Sequence, residues 1–196
     1  MLKSDNIISL DIDGVLTDYP NCWLRFLGDK VGQNFDTVRD AKMVCGIKTY
    51  NEVKAIYRAS DYKANLSIKN EAREFIDFFS DKGFEFVVAT SRPILDPAYP
   101  SLMNLTKNWV HKNVQPNCNV YYKDETLNCV PILPSLKFHV DDELKYAMAF
   151  LKRNVPSFLI RNIQLPLVKL KGCEKPPVRE VSSLCEIVNM HKRGKV

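Results

Sequence analysis

The sequence has no apolar run approaching the ~18 residues needed to span a membrane, no internal repeat and no low-complexity tract. Its first six residues lead straight into a strand without the apolar stretch of a secretory signal, so a cytoplasmic location is expected. None of its six cysteines (Cys22, Cys45, Cys118, Cys129, Cys173 and Cys185) forms a C-x-x-C pair, and none has zinc-site spacing to a histidine. All six are read as reduced core residues. Histidine is scarce: only His111, His139 and His191 occur, and His139 lies inside an apolar strand, so no histidine-based triad is expected. Concentrated charge is also missing. The net charge of +5 comes from scattered residues, apart from the tail His191-Lys192-Arg193-Gly194-Lys195, which reads as a solvated end. A nucleic-acid partner is therefore not favoured, whereas a mild basic excess suits a small anionic substrate.

The 196 residues fit one domain with a modest insertion. Short apolar runs bounded by polar residues mark five strands: 7–11, 85–90, 119–122, 136–140 and 157–160. Helical spacing separates them. Ala72, Phe75, Ile76 and Phe79 repeat on one face of a helix over 70–82, with Gly83 as its C-cap. Leu102, Leu105, Trp109 and Val110 predict another helix, and so do Leu144, Ala147, Met148 and Leu151. Ser183 to Glu186 has the form of a capping box opening a last helix. Alternating strands and helices predict a parallel sheet covered on both faces. About 70 residues separate the first two strands, far more than one crossover needs. Residues 19–66 are helical in pattern, and Thr49 to Glu52 reads as a capping box within them. An insertion there is expected to lie over the strand ends as a lid.

In open parallel sheets, ligands bind beyond the carboxyl ends of the strands. The first strand ends in Asp11 and Asp13, the second in Thr90 and Ser91, the fourth in Asp141 and Asp142. If the first strand is central, these groups meet in one crevice, and Gly14 allows the turn that leads the chain away. Clustered carboxylates repel unless a cation neutralises them, and oxygen donors favour Mg²⁺. A carboxylate can serve as a nucleophile toward phosphorus, and a second acid two residues on can move the proton. Thr90 is suited to bonding phosphoryl oxygens, and a lysine to balancing charge. At this composition, D-x-D-G arises by chance only about 0.03 times.

The segment Asp11-Ile12-Asp13-Gly14-Val15-Leu16-Thr17 resembles the first motif of the haloacid dehalogenase (HAD) superfamily. Val87-Val88-Ala89-Thr90 resembles its second motif and Val140-Asp141-Asp142 its fourth. The resemblance covers about residues 6–162. It implies a Rossmann-like α/β fold, a doubly wound parallel sheet of order 3-2-1-4-5. The core domain would comprise 1–18 and 67–196, with 19–66 as a small helical cap after the first strand. It further implies a phosphatase rather than a dehalogenase, because the second aspartate is present. Asp11 would be the nucleophile and Asp13 the general acid/base. Mg²⁺ would be held by Asp11, the Asp13 carbonyl and Asp141, assisted by Asp142. The small cap and the paired aspartates look most similar to the 5'(3')-deoxyribonucleotidase branch, which makes a nucleoside monophosphate the leading substrate. The phosphatase domain of polynucleotide kinase is a weaker likeness. A sugar phosphate, a polynucleotide end, and a silent binding or regulatory protein are the alternatives.

The motif lysine is less sharply placed. Lys123 follows the third strand, whereas Lys137 begins the fourth, about 13 Å from its active end, so Lys123 is favoured. Arg58 and Lys63, in the return from the insertion, are candidates to clamp substrate, as are Ser91 and Arg92; Arg92 is equally placed to pair with Asp96. Trp23 and Phe26 are read as core residues rather than as a platform for a base.

Overall fold

A computed structural model describes residues 6–94, 96–97, 99–124, 126–161 and 178–196. Six strands, β1 (Ile7–Leu10), β2 (Glu85–Thr90), β3 (Asn119–Tyr122), β4 (Leu136–Asp141), β5 (Ser157–Ile160) and β6 (Arg179–Val181), form one sheet of order β3-β2-β1-β4-β5-β6. All neighbours run parallel. The expected order is therefore found, with one further strand beyond β5. β6 has only three residues, and its Arg179 and Glu180 are exposed. It lacks the apolar run by which the other strands announce themselves.

The period-two alternation of strand side chains divides the core. Ile8, Leu10, Phe86, Val88 and Phe138 face one side, where they pack with Phe75, Ile76 and Phe79 of α4 (Asn70–Ser80), with Trp109 of α5 (Leu102–Asn113), and with Leu184 and Ile187 of α7 (Leu184–Lys192). Ile7, Val87 and Ala89 face the other side, against Ala149 and Phe150 of α6 (Leu144–Lys152). Helices on both faces make the sheet doubly wound.

The chain between β1 and β2 forms α1 (Asn21–Val31), α2 (Val38–Ala59) and α3 (Asp61–Ala64) before entering α4. These helices have their own apolar cluster, including Trp23, Phe26, Leu27, Tyr50 and Tyr57. Gly46 breaks α2 at φ 73°, ψ 154°. The capping box expected at Thr49 is not one, because Thr49 lies beyond that break and inside the helix. The working N-cap is Thr37, whose hydroxyl accepts from the Asp40 amide. At the last helix Ser183 accepts from the Glu186 amide as expected, but the Glu186 carboxylate accepts from the Ser182 amide and hydroxyl. Gly83 is not the C-cap of α4: the helix stops at Ser80, capped by Asp81, and Gly83 forms the following turn at φ 78°. Cys22 and Cys118 are buried, Cys45 and Cys185 are half-buried and Cys129 is exposed, so the core reading holds for two; Cys173 lies outside the described residues. Among the described residues no helix is long and apolar enough to cross a membrane.

Phe79 is fully buried and stacks edgewise on Phe84 and Phe138, which joins α4 to the sheet. Phe79→Ala is expected to cost about 3–5 kcal/mol, read as a lower urea midpoint, whereas Lys137→Ala, at an exposed position, leaves the midpoint unchanged.

Candidate active site

Asp11 follows β1 directly and keeps strand pairing, its amide donating to the Val140 carbonyl at 3.0 Å. The chain then turns: the Leu16 and Thr17 amides donate to the Ile12 carbonyl at 2.9 and 3.0 Å. Gly14 sits at φ 94°, and a Cβ there would stand 2.0 Å from Asp142 Oδ2. Only glycine lets the β1 loop and the β4 end approach this closely.

At the floor of the crevice, Lys123 donates to Asp11 Oδ1 at 2.9 Å and also to Asp141 Oδ2. The Lys123 amide donates to the Thr90 carbonyl at 2.8 Å, so the residue after β3 is tied to the end of β2. Of the two candidate lysines, Lys123 is buried against Asp11, and Lys137 is exposed. Asp141 also bonds His139 Nε2 at 2.8 Å and accepts from the Glu143 amide at 2.9 Å. His139 in turn bonds Ser9 at 2.9 Å and stacks on Phe150. His139 is thus a packed, hydrogen-bonded residue of the core, as its place inside an apolar strand predicts. Its hold on Asp141 was readable in principle from the H-x-D alternation, which puts both side chains on one face of β4.

One carboxylate oxygen each from Asp11, Asp141 and Asp142 lies within 4.8 Å of the others. Three carboxylates against one lysine leave two negative charges unbalanced, and oxygen-only donors in a buried cluster fit a hard divalent ion such as Mg²⁺. Burial, and the neighbouring Asp141 acting against Lys123, push the Asp11 carboxyl up to about 7. Burial with Asp11 and Asp141 also raises Asp142. Burial alone would raise Asp141, but Lys123 and His139 outweigh it and hold it low. Burial lowers His139 to about 4, so the imidazole is neutral.

Asp13 belongs to a second cluster. Its carboxylate accepts from Arg92 Nε and Nη2 at 3.1 and 3.0 Å in a bidentate fork, and from Lys63 Nζ at 3.1 and 3.2 Å. Burial works to raise its pKa, but the two cations outweigh it and hold Asp13 far below the ordinary carboxylate range. In this arrangement Asp13 is ionised and carries no proton to give. Its side chain stands apart from the other three acids, so any share in a metal site falls to its carbonyl. Arg92, equally placed by sequence to meet a phosphate or to pair with Asp96, forks onto Asp13, and Thr106 Oγ1 accepts from Arg92 Nη1 at 3.1 Å.

The remaining expected residues divide. Thr90 is buried at the end of β2 and Ser91 is half-buried beside it. Arg58 does not touch Asp13; it donates to the Tyr99 hydroxyl at 3.2 Å and lies over that ring. Trp23 and Phe26 stack on one another inside the helical insertion, as expected of core residues.

Two outcomes follow from the floor of the site. Below about pH 7 Asp11 holds a proton that a metal must displace, so Mg²⁺ affinity by titration calorimetry is expected to rise between pH 6 and 8. Gly14→Ala forces a strained φ, at about 1–3 kcal/mol, and displaces Asp142. It is expected to lower the melting midpoint and weaken Mg²⁺ binding together.

No protein-family model matches the sequence, and no curated protein matches it either. Solved structures do. A predicted phosphatase from Clostridium acetobutylicum superposes with a TM-score of 0.63 at 15% identity, covering 96% of this chain and 98% of that one. A HAD family hydrolase from Deinococcus radiodurans with bound phosphate and sodium gives 0.61 at 11% identity, covering 97% of each. CbbY from Rhodobacter sphaeroides, bound to xylulose-(1,5)bisphosphate, gives 0.55 at 10% identity, covering 92% of this chain and 95% of that one. None of these three is described as a nucleotidase. At such identities the likeness is one of fold, and the fold is that of HAD-like hydrolases.

Proposed function

We propose that this protein is a Mg²⁺-dependent phosphatase that hydrolyses phosphate monoesters through an aspartyl-phosphate on Asp11. One observation carries this reading: the split of charge across a single crevice. On one side Asp11, Asp141 and Asp142 outnumber Lys123. On the other, Lys63 and Arg92 outnumber Asp13. A phosphate ester with a divalent cation complements both sides.

In the first step an Asp11 carboxylate oxygen attacks phosphorus and the ester P–O bond breaks, while Asp13, freed from Arg92 and Lys63 by the substrate phosphate and protonated from solvent, delivers that proton to the leaving oxygen. In the second, water attacks the same phosphorus, Asp13 takes its proton, and phosphate leaves with Asp11 restored. Lys123 holds Asp11 in place and offsets the charge on the transferred group. Asp11, Asp141 and Asp142 would hold Mg²⁺, which would supply further charge neutralisation. Asp13 becomes an acid only when Arg92 and Lys63 release it, and a substrate phosphate competes for both cations. Residues 19–66 act in this reading as a cap, with Lys63 as their reach into the site. The order of the motifs, with the HAD-like fold, supports reading the protein as a member of the HAD superfamily, and a cytosolic location suits a small phosphorylated substrate.

For substrate class, a nucleoside monophosphate gains no support from Trp23 and Phe26, which are core residues and offer no face for a base. A sugar phosphate gains one from the CbbY complex with a sugar bisphosphate.

Asp11→Asn is expected to cut Mg²⁺-dependent release of phosphate from p-nitrophenyl phosphate by more than about a thousandfold. Undiminished turnover by that variant sinks the mechanism, and no turnover by the native chain on any nucleotide or sugar phosphate favours a silent binding protein.

A further inference from the structure

The insertion presents more positive charge to the crevice than Asp13 absorbs. Lys54 and Lys63 both lie over the Tyr57 ring, 5.2 and 5.0 Å from its centroid. Lys63 has Asp13 as its partner. Lys54 has no carboxylate within 4 Å among the described residues; its ammonium donates to the Tyr19 hydroxyl at 3.3 Å and rests 4.2 Å from the Trp23 ring centroid and 4.6 Å from that of Tyr19. Ring faces offset only part of what an ammonium loses on leaving water. Burial, and then Lys63, push Lys54 down to about 6, so the amine gains its proton fully only when an anion arrives beside it. Arg58 lies one helical turn further along α2, on the same face as Lys54. It too has no carboxylate partner among the described residues, only the Tyr99 hydroxyl and ring. Both side chains are half-buried rather than sealed. Aromatic contacts hold each head group in place, so an anion arriving there meets donors that are already ordered.

Resting on the phosphatase reading above, we propose that Lys54 and Arg58 form a subsite for a second anion, so that the substrate is a phosphate monoester carrying a further phosphate or a carboxylate. The transferred phosphoryl group would lie over Asp11 and Lys123, and the second anion would meet the insertion. A neutral sugar or a nucleoside would leave Arg58 without a carboxylate or phosphate partner and would bring Lys54 no anion to hold a proton on it.

Two matched pairs of esters test this: fructose 1,6-bisphosphate against fructose 6-phosphate, and 3-phosphoglycerate against glycerol 3-phosphate. Their binding is measured by calorimetry with Mg²⁺ on the full Asp11→Asn chain, which does not consume them. The doubly anionic member of at least one pair is expected to bind about tenfold tighter or better, and the pair that responds tells phosphate from carboxylate. Adding Lys54→Met or Arg58→Gln brings that ratio toward one, while Lys54→Arg retains it. Equal binding within both pairs, or a ratio untouched by Lys54→Met and Arg58→Gln, overturns the subsite. Should Lys54→Met not fold, Arg58→Gln decides alone, since its side chain is outside the insertion's apolar cluster. Turnover of p-nitrophenyl phosphate by the native chain is scored separately. A Lys54-dependent preference without turnover removes only the phosphatase reading, and turnover without the preference removes only the subsite.

Discussion

The ammonium of Lys123, shared between Asp11 and Asp141, is the interaction on which the site depends. It joins the ends of β1 and β4 through side chains, and through its own amide it joins them to β2. All three charges are buried. Such a cluster gives little net stability, because desolvation opposes the Coulomb attraction, yet removing one member typically costs about 3–5 kcal/mol by stranding the others. The arrangement thus specifies geometry more than it adds strength. Burial works to lower the Lys123 pKa, but the two aspartates outweigh it and raise it. The lysine therefore stays charged whatever the solution pH does to its neighbours, and the strand ends keep their spacing.

Around that centre the crevice is polarised. The strand side is acidic, and the insertion side is basic. His139 extends the first arrangement inward: neutral, stacked on Phe150 and bonded to Ser9, it orients the Asp141 carboxylate from below. Arg92 does the same for the second, anchored by Thr106 while its fork holds Asp13. Asp141 and Asp13 are thereby each oriented by a neighbouring side chain that is itself anchored by a hydroxyl.

Much of this was legible in the sequence, and the reasons it was legible are physical. Ile7 to Leu10 is wholly apolar apart from Ser9, because a central parallel strand is covered on both faces, and that run points straight at Asp11. Thr90, Asp141 and Lys123 could be placed because they too follow strands. What escaped was local or long-range in character. β6 was missed because an exposed Arg-Glu-Val segment has no apolar pattern. Thr49 imitated a cap, while the actual break depends on the backbone freedom of Gly46. The pairing of Asp13 with Lys63 and Arg92 joins residues 50 and 79 positions away, and no spacing rule reports such a meeting.

The modest β6 has a consequence of its own. Among the described residues it forms one edge of the sheet, and an edge strand offers unpaired amides and carbonyls to any chain that can align with it. Here that edge is three residues long and carries Arg179 and Glu180, the latter paired with Arg161 of the chain leaving β5 at 3.0 Å. A second sheet docking there would have to strip water from those charges and would find almost no length to pair with. The segment that sequence patterning failed to recognise is thus, by the same lack of apolar character, a guard against edge-to-edge aggregation.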